Sequence, residues 1–239
     1  MSEKGPRIIL DLCGGTGAWS RPYKEAGYDV RVITLPEYDV TTAQCKQTSD
    51  YTHDPPKDGA TLFFFKQTGG FRALDVKDVC GILAAPPCTE FSIAKNGSHR
   101  KRDLTAGMRT VTACMNIIWF CQEHGKLQFW AMENPVGYLR QFLGIPHYTF
   151  YQWWFGDNGI KRTDLWGYFN SPKQKVFGRP DNPYFVKQYK SGKKNQFCWS
   201  TPKPPEWYEG PPLDRAALRA ITPAGFAEAF YRANKPKAV

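Results

Sequence analysis

Histidine is scarce in this chain, with four widely separated residues in 239, and the seven cysteines contain no C-x-x-C pair. A structural zinc site draws its ligands from closely paired histidines and cysteines, so no metal is expected. An odd cysteine count without a dense cysteine frame also argues against a disulfide-stapled secreted domain. No apolar run approaches the roughly 18 residues of a membrane span, nothing at the N-terminus resembles a signal peptide, and no internal repeat is visible. Acidic residues are in deficit, 22 against 32 basic ones, which gives a formal charge of +10. The expectation is a soluble, reduced, cytoplasmic protein without membrane contact. Its charge points to a polyanionic partner, nucleic acid first.

What is present has the alternation of an α/β domain. "RIILDLCGGTGAWS" runs from an apolar strand, Ile8 to Leu12, into a turn with glycine at 14, 15 and 17. A helix follows, with Pro22 in its first turn and Gly27 as its stop. "YDVRVITL" is a second strand, and Val79 to Ala85 has the content of a buried one. Asp103 is placed to cap a long helix reaching about His124, with Met108, Val111, Cys114, Ile118 and Cys121 at helical spacing. "LQFWAMENP" reads as a strand ending on polar residues, and "YTFYQWWFG" as a further strand. From Ser171 to Pro212 periodicity is lost. "TPAGFAEAFYRAN" restores a helix, with Phe226, Ala229, Phe230 and Ala233 on one face. Residues 55 to 79, with the aromatic run Phe63 to Phe65, have no functional reading.

In open parallel sheets, ligands bind at the carboxyl ends of the strands. Three predicted strand ends carry chemistry: Asp11 before the glycine turn, Cys88 after Pro86 and Pro87, and Glu133 in "MENP". Two prolines remove backbone donors and fix φ, so Cys88 leaves its strand in a stiff, pre-set direction. A thiol and a carboxyl group together can act on a cytosine ring. The thiolate adds to C6 while an acid engages N3, and C5 becomes nucleophilic enough to take a methyl group from a sulfonium donor.

"DLCGGTG", "APPCTEFS" and "MENP", in this order, resemble the first, fourth and sixth motifs of the cytosine C5 DNA methyltransferase family, and "KRTDLWG" resembles a shortened eighth motif. The likeness covers residues 7 to 168. It implies a Rossmann-like class I fold that uses S-adenosylmethionine. By the resemblance Cys88 is the nucleophile, Glu133 engages N3, and Arg162 clamps the base or its phosphate. Asp11, Gly14, Gly15, Thr16, Gly17, Trp19 and Pro86 would form the donor pocket, with Asp39 against the adenine. The compact layout resembles that of a phage or prokaryotic modification enzyme. The chain departs from the family pattern at Cys13, at Thr34-Leu35-Pro36, at Pro135, and in "ITPAGF" before the last helix.

Directly after the cysteine motif, Lys95, Arg100, Lys101 and Arg102 form a basic loop, expected to contact phosphates and help to hold a flipped base. The implied organisation is a catalytic domain over 1–168, a short loop-rich target-recognition region over 169–212, and a C-terminal helix over 213–239 that returns to the catalytic domain. In the middle region Tyr184, Phe185, Tyr189, Trp199 and Trp207 lie among lysines, which suits stacking and backbone contact better than a long base-specific code, or help from a specificity partner. Two alternatives stay open. One keeps the chemistry on RNA or with another donor group, and the other is a non-catalytic nucleic-acid-binding protein of the same fold.

Overall fold

The computed structural model describes residues 7–50, 57–97, 99–157, 161–178 and 203–237. The strands are β1 (Ile8–Leu12), β2 (Asp29–Ile33), β3 (Gln44–Asp50), β4 (Lys57–Phe65), β5 (Phe71–Asp75), β6 (Val79–Ala84), β7 (Phe129–Pro135), β8 (Tyr148–Tyr151) and β9 (Arg162–Tyr168). The helices are α1 (Arg21–Glu25), α2 (Leu104–His124), α3 (Arg140–Leu143), α4 (Arg215–Ala220) and α5 (Ala224–Asn234). No helix among the described residues is long and apolar enough to cross a membrane.

The fold is mixed α/β, built on a six-stranded, mostly parallel sheet in the order β2-β1-β6-β7-β9-β8. β2, β1, β6 and β7 are parallel, and β9 runs antiparallel to both β7 and β8. β2 lies on one side of β1 and β6 on the other, so the chain direction switches at the carboxyl ends of β1 and β6. Such a switch opens a crevice because the connections leave in opposite directions.

Both faces of the sheet are covered, which explains why β1 and β6 are buried at every residue rather than alternately polar. Ile8, Leu10 and Leu12 face a first core with Val111, Cys114, Ile117, Ile118 and Cys121 of α2. Ile9 faces a second core with Trp19, Tyr23, Phe129, Phe226 and Phe230. Asp103 caps α2 by accepting the amide of Ala106 at 2.8 Å. α5 docks through Phe226 and Phe230, and its end is fastened by Asn234, whose Oδ1 accepts the Asn170 amide at 2.7 Å.

Residues 57–75, which sequence reasoning allowed one further strand and no function, contribute two strands of a separate antiparallel sheet, β3-β4-β5. "YTFYQWWFG" supplies only the four residues of β8 before a 3-10 turn over Gln152–Phe155, because its rings alternate poorly and Gly156 turns the chain at φ 85°. α4, which no periodicity signalled, is capped by Asp214. Tyr184, Phe185, Tyr189 and Trp199, together with Lys187, Lys190, Lys193 and Lys194, lie outside the described residues. Trp207 stacks under the Arg21 guanidinium, 4.4 Å from ring centroid to Cζ.

Candidate active site

β1 delivers Asp11 to the crevice. Its side chain is fully buried, Ser20 Oγ donates to Oδ2 at 2.5 Å, and Oδ1 has no protein partner. Burial pushes this carboxyl up to about 6, against the opposing hydrogen bond from Ser20. The chain must then turn tightly around the carboxyl. A Cβ on Gly14 would lie 2.3 Å from it, and Gly15 and Gly17 adopt φ of 56° and 75°. The Gly15 amide points to Thr34 Oγ1 at 3.3 Å, and Thr16 is half-buried between the two glycines.

Two other residues expected near the donor have structural partners. Trp19 is buried in the second core, with ring centroids 5.8 Å from Phe226 and 5.3 Å from Phe230, and its Nε1 lacks a partner. Asp39 caps the 3-10 turn Val40–Thr42, its Oδ1 accepting Thr41 N at 2.9 Å and Thr41 Oγ1 at 2.7 Å.

The segment carrying Cys88 is pinned at both ends. Upstream, Ala85 N donates to Leu12 O at 2.9 Å, and Asn134 Nδ2 donates to Pro86 O at 2.9 Å. Downstream, the Cys88 carbonyl accepts from Phe91 N at 3.0 Å and Ser92 N at 2.8 Å, and Phe91 O accepts Tyr138 N at 2.8 Å. The thiol is thus positioned by strands on both sides rather than by a free loop. Asn134, which sequence reasoning passed over, is fully buried and holds the proline carbonyl while its Oδ1 stays unpartnered.

Glu133 lies on β7, where the sheet register sets it opposite Leu165 of β9. Side chains two residues apart share a face, so Lys161 falls on the face of Leu165 and Glu133, whereas Arg162 falls on the other. Lys161 Nζ is 3.3 Å from Glu133 Oε1, with about a quarter of its side chain exposed. Burial pulls the Lys161 ammonium down, but Glu133 and Cys88 together raise it. Burial pushes the Cys88 thiol up, Lys161 draws it down and Glu133 adds to the rise; Arg219 of α4 lowers it further from beyond.

Arg162 is exposed, and its guanidinium carbon stands 5.8 Å from the Tyr151 ring centroid. The cation that meets the Glu133 carboxyl group is Lys161, which sequence reasoning did not single out. Strand parity is the signal that separates them, and it becomes usable only once the β7–β9 register is known. Asp164, also on the far face, is fully buried in a two-pronged pair with Arg140 at 2.7 and 2.6 Å.

The basic loop divides into two kinds of residue. Lys95 Nζ pairs with both Glu90 oxygens at 2.6 and 2.5 Å. Arg102 donates to Glu90 O, Ser92 O and Asn96 Oδ1, and lies 4.3 Å over the Tyr138 ring. These two hold the loop together. Arg100 and Lys101 are exposed.

Among the described residues, no group of three histidine, cysteine, aspartate or glutamate side chains could hold a metal ion. No protein-family model matches the chain, and no curated protein matches it either.

Proposed function

We propose that this protein transfers a methyl group from S-adenosylmethionine to C5 of cytosine in DNA, on a Rossmann-like class I methyltransferase fold, through a covalent adduct between Cys88 and C6. The observation that carries the reading is a pinned thiol, Cys88, within electrostatic reach of the Glu133–Lys161 pair beside the β1–β6 crevice. The motif resemblance adds to it.

The residues at the end of β1 fit the donor. A buried carboxylate with an unpartnered oxygen seeks a cation or a donor group, and the glycine turn allows close backbone approach. S-adenosylmethionine offers an ammonium and ribose hydroxyls to such groups, and when bound it supplies an electrophilic methyl on a sulfonium.

The chain's own residues then have defined tasks. Cys88 loses its thiol proton to solvent and adds as thiolate to C6, forming the C–S bond. Glu133 relays a proton from solvent to N3, so the ring electrons move toward C5 rather than remaining as unbalanced charge on the base. The Lys161 ammonium lowers the energy of the thiolate before addition and of the Glu133 carboxylate after it. Once C5 has accepted the methyl, loss of the C5 proton to a base and return of the N3 proton to Glu133 expel the thiolate and restore the ring. Arg100 and Lys101 are supplied to hold the phosphates of a flipped nucleotide. Such an enzyme works in the reducing cytoplasm, where Cys88 stays a thiol. A specificity partner would supplement the short region over 169–212.

Trapping tests the proposal. DNA containing 5-fluorocytosine, incubated with the protein and S-adenosylmethionine, is expected to yield an adduct that survives a denaturing gel, because fluorine cannot leave as a proton. Cys88→Ala should abolish it. Equal trapping by that variant would remove Cys88 as the nucleophile. Base-resolved mass analysis of DNA and RNA substrates identifies which acid carries the product.

A further inference from the structure

The proposed chemistry makes no use of the β3-β4-β5 sheet. Its inner face, with Ala60, Leu62, Phe64 and Leu74, is buried in the first core. The antiparallel register sets Phe65 opposite Phe71 and Phe63 opposite Gln44, so Phe63, Phe65 and Phe71 share the outer face with Gln44, Lys46 and Thr61. Phe71 is 60% exposed. Its ring centroid lies 5.6 Å from Phe63 and 6.2 Å from Phe65, and Lys46 Nζ stands 5.5 Å from the Phe63 centroid. Among the described side chains of this face only Asp75 is acidic. It sits at the end of the face, and its carboxylate already accepts the Lys77 amide at 2.9 Å.

Three adjoining rings outside a core need an occupant, and its chemistry can be argued. Three partly exposed phenylalanines offer at most a few hundred Å², against about 800 Å² per partner in a stable protein interface. A two-fold pairing of this face with itself would also bring Lys46 toward its own copy. Rings in file, a cation beside them, and amide and hydroxyl groups at the margin suit a different ligand. A single nucleic-acid strand stacks its bases on such rings without regard to sequence, while the cation follows its phosphates. The formal charge of +10 on the chain favours the same partner.

We propose that the outer face of β3-β4-β5 is a stacking platform for single-stranded DNA, centred on Phe63, Phe65 and Phe71 with Lys46. It lies on a different sheet from β6, whose end leads to Cys88, and does not rest on the methyl-transfer reading. A platform of this kind would hold an unpaired strand while the rest of the protein engages duplex.

The test uses the full chain and a fluorescent oligothymidylate of about 12 nucleotides, within the roughly 4 to 16 that single-strand-binding folds cover. Lacking cytosine, this probe leaves any cytosine pocket unfilled. An abasic phosphodiester of equal length reports charge alone. The wild-type protein should prefer the base-bearing probe, and Phe71→Ala should weaken it about tenfold while leaving the abasic probe unchanged. Phe71 is exposed, so its removal spares the fold. Lys46→Gln should flatten the salt dependence by about 0.7 of a logarithmic unit per decade of salt. Photocrosslinking with 5-iododeoxyuridine in the probe should label residues within 57–75. Equal binding of the base-bearing probe by wild type and Phe71→Ala, with crosslinks only elsewhere, would overturn the proposal. So would a dimer seen by sedimentation that Phe71→Ala dissociates, since the face would then serve protein.

Discussion

Lys161 Nζ lies 3.3 Å from Glu133 Oε1, and both charges act on the Cys88 thiol, the ammonium lowering its pKa and the carboxylate raising it. Burial is the largest influence and pushes the thiol up, and the Lys161 ammonium is the strongest influence that opposes the rise. Lys161→Gln should therefore move the pH profile of Cys88 alkylation by iodoacetamide to higher pH. At neutral pH the rate should fall about tenfold for each unit of that move. Peptide mass mapping isolates Cys88 from the other cysteines. An unchanged profile would mean that Lys161 serves only to hold Glu133.

Asp11 gives the second prediction. Burial pushes its carboxyl up to about 6, and only the ionised form attracts a cationic ligand. Affinity for S-adenosylmethionine, measured by calorimetry, should rise as pH increases through about 6 and then level off. Asp11→Asn should bind more weakly and lose that dependence. Stability moves the other way. A carboxyl whose native pKa exceeds its unfolded one favours the fold at low pH, and this contribution is lost as pH rises through about 6. Thermal melts of ligand-free wild type and Asp11→Asn should differ in that direction.

Gly137 is the third. A Cβ there would lie 2.3 Å from the carbonyl oxygen of Phe91, inside the turn whose amides grip Cys88 O. The clash is with backbone, so no rotamer relieves it. Gly137→Ala should cost about 2 kcal/mol in urea unfolding and should lose adduct formation even where it remains folded, because the Cys88 segment must shift. Gly97→Ala, whose Cβ would meet nothing within 4 Å, is the matched control.

The parts of this protein written in contiguous residues are legible from sequence. The β1–α1–β2 unit is one case: apolar run, glycine turn, Pro22 in the first helical turn and Gly27 at the stop all act within a few residues of one another. The capping of α2 by Asp103 is another. Relations across strands are not legible in the same way. "KR" at 161–162 offers two cations of equal appeal, and only the pairing of Glu133 with Leu165 decides which one faces the carboxyl. The aromatic run at 63–65 has Phe64 turned into the core and Phe63 and Phe65 turned out, a split set by the partners of β4 rather than by composition. Asn134 looks like a spare polar residue until Pro86 O appears beside it.

The fourth prediction concerns the basic loop, whose four cations look alike in sequence and differ in structure. Glu90 is the hub: its carboxylate takes both Lys95 and the Asp103 amide, at 2.6 Å for the latter, and its carbonyl takes Arg102. The Lys95 hydrogen bond, followed by that amide, holds the Glu90 carboxyl below its ordinary value. A cation committed to such a hub has little left for a phosphate, and Arg100 and Lys101 are the exposed cations of the loop. Replacing Arg100 and Lys101 by glutamine should lower the slope of log affinity for DNA against log salt by about two units, roughly one for each contact. Arg102→Gln should do the reverse, leaving the slope nearly intact while loosening the loop and slowing adduct formation. Arg102→Lys should not restore the rate, since an ammonium cannot span the Glu90 and Ser92 carbonyls as the planar guanidinium does. Binding titrations over a range of salt, paired with melts of the same variants, separate the two roles. A slope that falls with Arg102→Gln and holds with the Arg100 and Lys101 pair would exchange them.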